Sequence, residues 1–165
     1  MQASPDPGLI ASAGAPQFIR IVTFLVDDRQ FGVEVGLVRE IKGWQETTPL
    51  PNTAHYVLGV LNLRGTVITV FDFKARLGLG RCAISRASVI LVLDLGGQPV
   101  GLLVDAVSDI VDIPRTDLRP PPETHGVEEV LLGLAVRGER VIALPNLSSM
   151  IGFLPEAATS GSIQH

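Results

Sequence analysis

The sequence predicts a mainly β protein built from two similar small units. Three observations carry that prediction. Four pairs of short apolar runs are joined by turn sequences rich in Gly, Asp and Arg, which is the pattern of β-hairpins. Only 72–79 and 146–152 read as helices, and both are short. Two segments in the first half resemble two in the second at nearly constant spacing.

The elements follow in order. Residues 1–17 are rich in Pro, Ala, Ser and Gly and are expected to form a flexible arm. No Lys or Arg precedes its weakly apolar patch and Asp6 does, so the arm does not read as a signal peptide. QFIRIVTFLV, DDRQ and FGVEV make the first hairpin. VLGVLNL and TVITVFD flank Arg64-Gly65 and make the second, with Gly65 placed to take a positive φ. DFKARLGL then reads as a short helix with Asp72 as its N-cap. SVILVLDL, GGQ and VGLLV make the third hairpin. RPPPETHG, 119–126, is a loop. LLGLAV, RGE and RVIAL make the fourth, and NLSSMIG follows as a helix capped by Asn146. The ordered domain is expected to span 18–152, with 153–165 a flexible tail.

FGVEVGLVREI aligns with VGLLVDAVSDI, so that Gly32, Val35, Val38 and Ile41 match Gly101, Val104, Val107 and Ile110. VLGVLNLRGTVITVFDF aligns with LLGLAVRGERVIALPNL after a one-residue shift, with Gly59 on Gly133 and Arg-Gly at both turns. Val- and Gly-rich strands also resemble one another by chance. A true repeat means two similar β-units, and small closed barrels would hide the edges of so many short strands.

Composition narrows the function. The 165 residues suit one domain or two small subdomains sharing a core. Hydrophobic residues make up 46% and charged ones only 18%, against about 25% in a typical soluble domain. So charge-poor a surface favours contacts with other proteins. The net charge of -4, the lack of a basic stripe and the few aromatics argue against nucleic acid. A lone cysteine, Cys82, forms no internal disulfide and fits a reducing compartment. No apolar run reaches the roughly 18 residues of a membrane span, so direct membrane insertion is not expected and the protein reads as cytoplasmic.

No catalytic or cofactor motif stands out. His55, His125 and His165 are far apart, and none has a neighbour at metal-ligand spacing. No phosphate-binding loop or nucleophile elbow occurs, and GLGRC is not a dinucleotide fingerprint. Asp27-Asp28 and Glu128-Glu129 are neighbours in sequence and would point to opposite faces of a strand. Cys82 reads as a bland, partly buried thiol. No metal, cofactor or enzymatic activity is expected.

Arg64 is the residue that asks for an explanation, because it stands amid an apolar run. Two readings are open. A hairpin-tip arginine is solvated and bland, or it is anchored by backbone carbonyls or Glu40 and polarises an apolar protein-binding groove. Asn62, standing where an apolar residue would fit, favours the second reading.

The run FGVEVGLVREI … TTPLPNTAHYVLGVLNLRGTVITVFDFKARLGL resembles the CheW family of bacterial chemotaxis coupling proteins. GLLVDAVSDIVDI and GLAVRGERVIAL resemble that family's second half, and the likeness covers about residues 18–152. The resemblance implies two intertwined five-stranded β-barrels with a few short helices and a hydrophobic core between them. It implies a non-enzymatic adaptor, recruited to membrane-associated arrays through its partners. Those partners would be the cytoplasmic hairpin tip of methyl-accepting chemoreceptors and the regulatory domain of a CheA-type histidine kinase. The receptor groove carries over onto Val38, Glu40, Ile41, Asn62 and Arg64, shaped by Gly59 and Gly65, with Val104, Asp105 and Val107 on its opposite side. Thr69 and Phe73 stand where the family commonly has Pro and Leu, and Pro145-Asn146 where an aspartate is frequent.

Three other readings compete. One is a CheW-like adaptor of a pathway other than motility. Another is a small β-barrel enclosing a hydrophobic ligand. The third is an enzyme whose site gathers dispersed residues such as His55, Asp72 and Glu40.

Overall fold

The computed structural model describes residues 17–123 and 130–151, and among these the named elements are eleven strands, two short α-helices and two single 3-10 turns. Residues 1–16 of the expected arm, the end of the Pro-rich loop, Glu128-Glu129, His125, His165 and the expected tail lie outside the described residues. In chain order the strands are β1 (Phe18–Val26), β2 (Arg29–Glu34), β3 (Val38–Gly43), β4 (Val57–Leu63) and β5 (Thr66–Asp72). Helix α1 (Phe73–Arg76) precedes β6 (Val89–Leu95), β7 (Gln98–Val104), β8 (Ala106–Pro114) and the two-residue β9 (Leu118–Arg119). β10 (Leu131–Arg137), β11 (Arg140–Pro145) and α2 (Leu147–Ile151) complete the series.

All four expected hairpins form, each with a two-residue turn. Their closing pairs are Val26↔Arg29, Leu63↔Thr66, Leu95↔Gln98 and Arg137↔Arg140. The first turn residues, Asp27, Arg64, Gly96 and Gly138, all have positive φ, between 51° and 64°. Such turns match the right-handed twist of the strands they join. Asn62 and Asp94 occupy the same place in two hairpins. Each side chain accepts a hydrogen bond from the second turn glycine, Gly65 N at 2.8 Å and Gly97 N at 2.7 Å. That is why a polar residue interrupts the apolar run at 62.

The strands VREIKG and AVSDIVDIP, β3 and β8, are elements that the hairpin reading passes over. Both are sheet edges with charged residues, so they lack the strong apolar signal of the central strands.

Two sheets result. The first runs β8-β1-β2-β11-β10-β9 and the second β3-β6-β7-β5-β4. Without the small β9, the two orders superimpose under the sequence repeat. β1-β2 corresponds to β6-β7, β8 to β3, and β10-β11 to β4-β5. Each sheet holds one parallel pair at the equivalent place, β2 with β11 and β7 with β5. After β2 the chain leaves the first sheet and adds β3 to the second. After β7 it returns and adds β8 to the first. The halves are therefore intertwined by an exchange of strands. The first sheet has six strands rather than the expected five because Leu118 and Arg119 pair with Ala135 and Leu134. The described strand pairs form two ordered runs, and a pair closing either run into a ring is not among them.

Glycines confirm that the repeat is physical. A Cβ on Gly59 would lie 2.2 Å from the Thr48 carbonyl oxygen, and one on Gly133 2.6 Å from that of Arg119. A Cβ on Gly32 would meet Ile21, and one on Gly101 would meet Ile90. At 59 and 133 a backbone carbonyl occupies the place of a side chain, and at 32 and 101 an isoleucine side chain packs there, so both halves place glycine at the same two positions.

Three apolar clusters hold the fold. One lies within the first sheet, with Ile21, Ile113, Ala135 and Ile142. Another lies within the second, with Leu61, Ile68, Val70, Ile90, Val92 and Leu103. The largest joins the two sheets to the helices. In it Phe24, Phe31 and Phe73 meet at centroid distances of 5.0–5.8 Å. Within each sheet the side chains of its cluster pack against one another.

Candidate functional site

Arg64 sits at the tip of the β4–β5 hairpin with φ 51°, and Gly65 follows with φ 89°. Its guanidinium donates to the Glu40 carboxylate on β3. β3 and β4 are the two ends of the second sheet. The ion pair therefore spans the open ends of a curved sheet and holds the exchanged strand β3 against the last hairpin. Of the two readings of Arg64, the structure shows the anchor of the second, with Glu40 as the partner.

The surroundings follow from local alternation. On β3, Val38, Glu40 and Lys42 face one way and are half-buried, while Arg39, Ile41 and Gly43 face out. Lys42 Nζ lies 3.9 Å from Glu40, and Arg39 lies 3.4 Å from Asp94. The Arg64 side chain is 72% exposed and that of Glu40 only 25%. A cleft of about 500 Å³ opens here, lined by Glu40, Arg64, Thr66, Val92 and Pro99 among others. The hydrogen bond from Arg64 holds the Glu40 carboxyl below its ordinary range, with Lys42 adding to the effect, and Glu40 raises Arg64 in return. A guanidinium fixed at one end by a carboxylate keeps further N–H donors for a partner. The arrangement orients a surface and offers no nucleophile with an activating base.

Gly59 lies earlier on β4, the strand that leads to the Arg64 turn. It has φ 141° at a β-bulge, and the strand-like contact of Thr48 with Val60 passes directly over it. Val38 packs against the central cluster, and Ile41 is an exposed apolar residue beside Glu40.

The VDAVSD residues lie elsewhere. In the parallel pair, Thr69 sits opposite Val100 and Asp72 opposite Leu103. Arg64, which precedes β5, is level with the start of β7, whereas Asp105 follows its end, about 20 Å away at roughly 3.3 Å per residue. Val104 is a correction. It is fully buried in the central cluster and cannot line a groove. Val107 packs on that cluster as its repeat partner Val38 does.

Asp105 has a different setting that sequence reasoning missed. It stands where the chain crosses between the sheets. Its backbone N–H donates to Leu25 O at 3.0 Å. Its carboxylate accepts from Asp27 N at 2.7 Å and from the Cys82 thiol at 2.8 Å. Cys82 N in turn donates to Asp72 Oδ2, whose other oxygen caps α1 at Ala75 N. Burial first, then the Asp105 hydrogen bond and charge, push the Cys82 thiol up to about 12. It is the bland thiol that the sequence suggested. No spacing rule links positions 27, 82 and 105, so nothing local could have revealed this joint.

The residues of the enzymatic alternative are engaged separately. His55 Nε2 lies 3.3 Å from Ala75 O, Asp72 caps α1, and Glu40 holds Arg64. Among the described residues, no group of His, Cys, Asp and Glu is arranged to hold a metal, and no helix is long and apolar enough to cross a membrane.

The family model for the CheW-like domain matches residues 20–153. The chain belongs to the CheW-like family. It is 42% identical over 133 residues to the chemotaxis protein CheW of Rhizobium meliloti, covering 79% of this chain and 85% of that protein. It is 32% identical over 151 residues to the protein FrzA of Myxococcus xanthus, covering 90% and 93%. The crystal structure of the scaffolding protein TtCheW from Thermoanaerobacter tengcongensis matches with a TM-score of 0.76 at 30% identity, over 81% of this chain and 92% of that one. The two-sheet, strand-exchanged architecture is thus that of a CheW-like domain.

Proposed function

We propose that this CheW-like chain is a non-enzymatic adaptor of chemosensory signalling. It would couple the cytoplasmic hairpin tip of methyl-accepting chemoreceptors to the regulatory domain of a CheA-type kinase. The protein would act in the cytoplasm, held at receptor arrays through these contacts. The relatives named as chemotaxis proteins and the scaffolding protein of the same fold support the role.

One observation carries the receptor contact. The Arg64–Glu40 pair, with Arg64 exposed and Glu40 half-buried, lines an open cleft. Exposed ion pairs contribute little to stability, so its placement suits recognition better than folding. In this reading Arg64, Glu40, Val38 and Ile41 meet the receptor. Asn62, Gly59 and Gly65 fix the shape, and Asp105 and Val107 hold the frame at the far end. Each contact needs only micromolar strength, about -8 kcal/mol, because many such contacts in an array act together.

The test is a titration of the purified protein against the two fragments, wild type beside Arg64→Ala. Binding to both, with only the receptor contact weakened in the variant, is the expected result. Binding to neither by a folded protein refutes the coupling role.

A further inference from the structure

The last hairpin of each half opens a cleft at its tip, and the two clefts differ in their walls. With Gly59 set on Gly133, Leu63, Thr66 and Ile68 fall on Arg137, Arg140 and Ile142. The first three line the cleft beside Glu40. The second three line an open cleft of about 410 Å³ at the tip of the first sheet. Leu63 and Thr66 close their hairpin as a cross-strand pair, and so do Arg137 and Arg140. Like charges directly opposite each other weaken a hairpin. The second half fills the same two places without charge.

The contacts of these arginines hold them without neutralising them. Arg140 donates through Nε at 3.3 Å and Nη2 at 2.9 Å to the amide oxygen of Gln30, a neutral acceptor. Arg137 donates to the Asp112 carbonyl at 2.9 Å, while Arg20 takes the Asp112 carboxylate at 2.8 and 3.3 Å. Asp117 lies 3.8 Å from Arg137, and Glu139 is exposed in the turn, but neither lines the cleft. Asp109, the repeat partner of Glu40, turns its carboxylate to its own strand and accepts from Ile110 N at 3.0 Å. A guanidinium has five N–H donors, so both arginines keep donors beyond these bonds.

The rest of the lining limits what can enter. Ile113 and Ile142 are fully buried and close the floor, and Val111 is half-buried. The exposed walls are Arg137, Gly138 and Arg140. The lining has no aromatic ring on which a base could stack, and the net charge of -4 opposes a long polyanion. A carboxylate suits the walls, because the guanidinium fork binds it through two parallel bonds.

We infer that Arg137 and Arg140 receive the carboxylates of an acidic segment of a partner protein, docked at the tip of the first sheet. In the second half Glu40 supplies the carboxylate from within the chain. In the first half the partner brings it.

The test is NMR on the full chain with isotope-labelled arginine side chains. It is titrated with a Glu-Gly-Glu-Gly-Glu peptide and with the same peptide carrying Gln for Glu. The acidic peptide should shift the Nε–Hε signals of Arg137 and Arg140 saturably and leave that of Arg64 in place. The Gln peptide should shift none of them. Arg140→Thr, which restores the residue of the second half, should weaken the acidic peptide about tenfold. The same variant should melt no lower than the wild type, because the like-charge pair is gone. Equal shifts at Arg64 and Arg140 mean unspecific attraction and overturn the inference. Tighter binding of inorganic phosphate or of a single-stranded oligonucleotide refutes a carboxylate occupant. An Arg140→Thr protein that melts well below the wild type, or does not fold, makes the arginine pair part of the frame and also defeats the inference.

Discussion

The two halves tie down their exchanged strands with the same residue type and different chemistry. In the second sheet Arg64 reaches from the last hairpin to a side chain, Glu40 on β3. In the first sheet Arg137 reaches from the last hairpin to a backbone carbonyl, that of Asp112 on β8, at 2.9 Å. The topological task is the same. The Asp112 carbonyl carries no net charge and survives any substitution at its position. The carboxylate that Arg137 also approaches, Asp117 at 3.8 Å, lies outside β8, so the tie to the exchanged strand belongs to the frame. The Arg64 tie places a full charge pair at the surface and depends on the identity of residue 40. A duplicated fold can keep one copy of a contact structural while the other is exposed to partners.

Breaking equivalent positions in the two halves tests how far they are alike. The largest effect is expected at Gly59. Its Cβ would lie 2.2 Å from Thr48 O at φ 141°, whereas Gly133 faces Arg119 O at 2.6 Å without a left-handed φ. Gly59→Ala should cost about 4 kcal/mol and Gly133→Ala about 2 kcal/mol in urea unfolding. Equal losses would contradict the asymmetry.

The helix caps come next. Asp72 accepts two backbone N–H bonds, at 3.1 and 2.9 Å, and is buried. Asn146 accepts one from its own helix. Asp72→Ala should cost about 3 kcal/mol and Asn146→Ala about 1 kcal/mol, read from the same unfolding curves.

Cys82 sharpens the comparison chemically, because the first half has nothing like it. The folded state holds the thiol proton more tightly than the unfolded state, up to about 12 against an ordinary 9.0. Stability should therefore fall as pH rises from about 9 toward about 12. Cys82→Ser should flatten that decline, and iodoacetamide near pH 8 should react with native protein far more slowly than with protein in urea.

The smallest stability effect is expected at the arginine ties. Arg64→Ala and Glu40→Gln should leave the melting temperature nearly unchanged. Glu40 titrates below its ordinary range, so its pairing is present above that range and lost as pH falls through the lowered value. NMR titration should find the Glu40 carboxyl restored to ordinary values in Arg64→Ala.

The hairpins were legible because Gly, Asp and Arg-Gly punctuation fixes two-residue turns between apolar runs. The repeat was legible because Gly32, Gly59, Gly101 and Gly133 answer the same steric demand in each half. The parallel pairs β2–β11 and β5–β7, and the transfer of β3 and β8 between sheets, join residues far apart in sequence. No local pattern encodes them. The Arg64–Glu40 pair could be reasoned out because charge in an apolar setting needs a partner. Val104 was misplaced for the converse reason. The motif around it suggested a surface, while β7 is a central strand buried continuously from Val100 to Val104.

The exchange of β3 and β8 bears on how the chain acquires its shape. Were it severed in the connection between α1 and β6, one piece would hold β1 to β5 and the other β6 to β11. Each sheet draws strands from both pieces. Neither piece could complete a sheet by itself, and the two would regain the fold only by complementing each other. The molecule is in effect a domain-swapped dimer written on one polypeptide, so its halves form together, through distant pairings that close slowly and all at once.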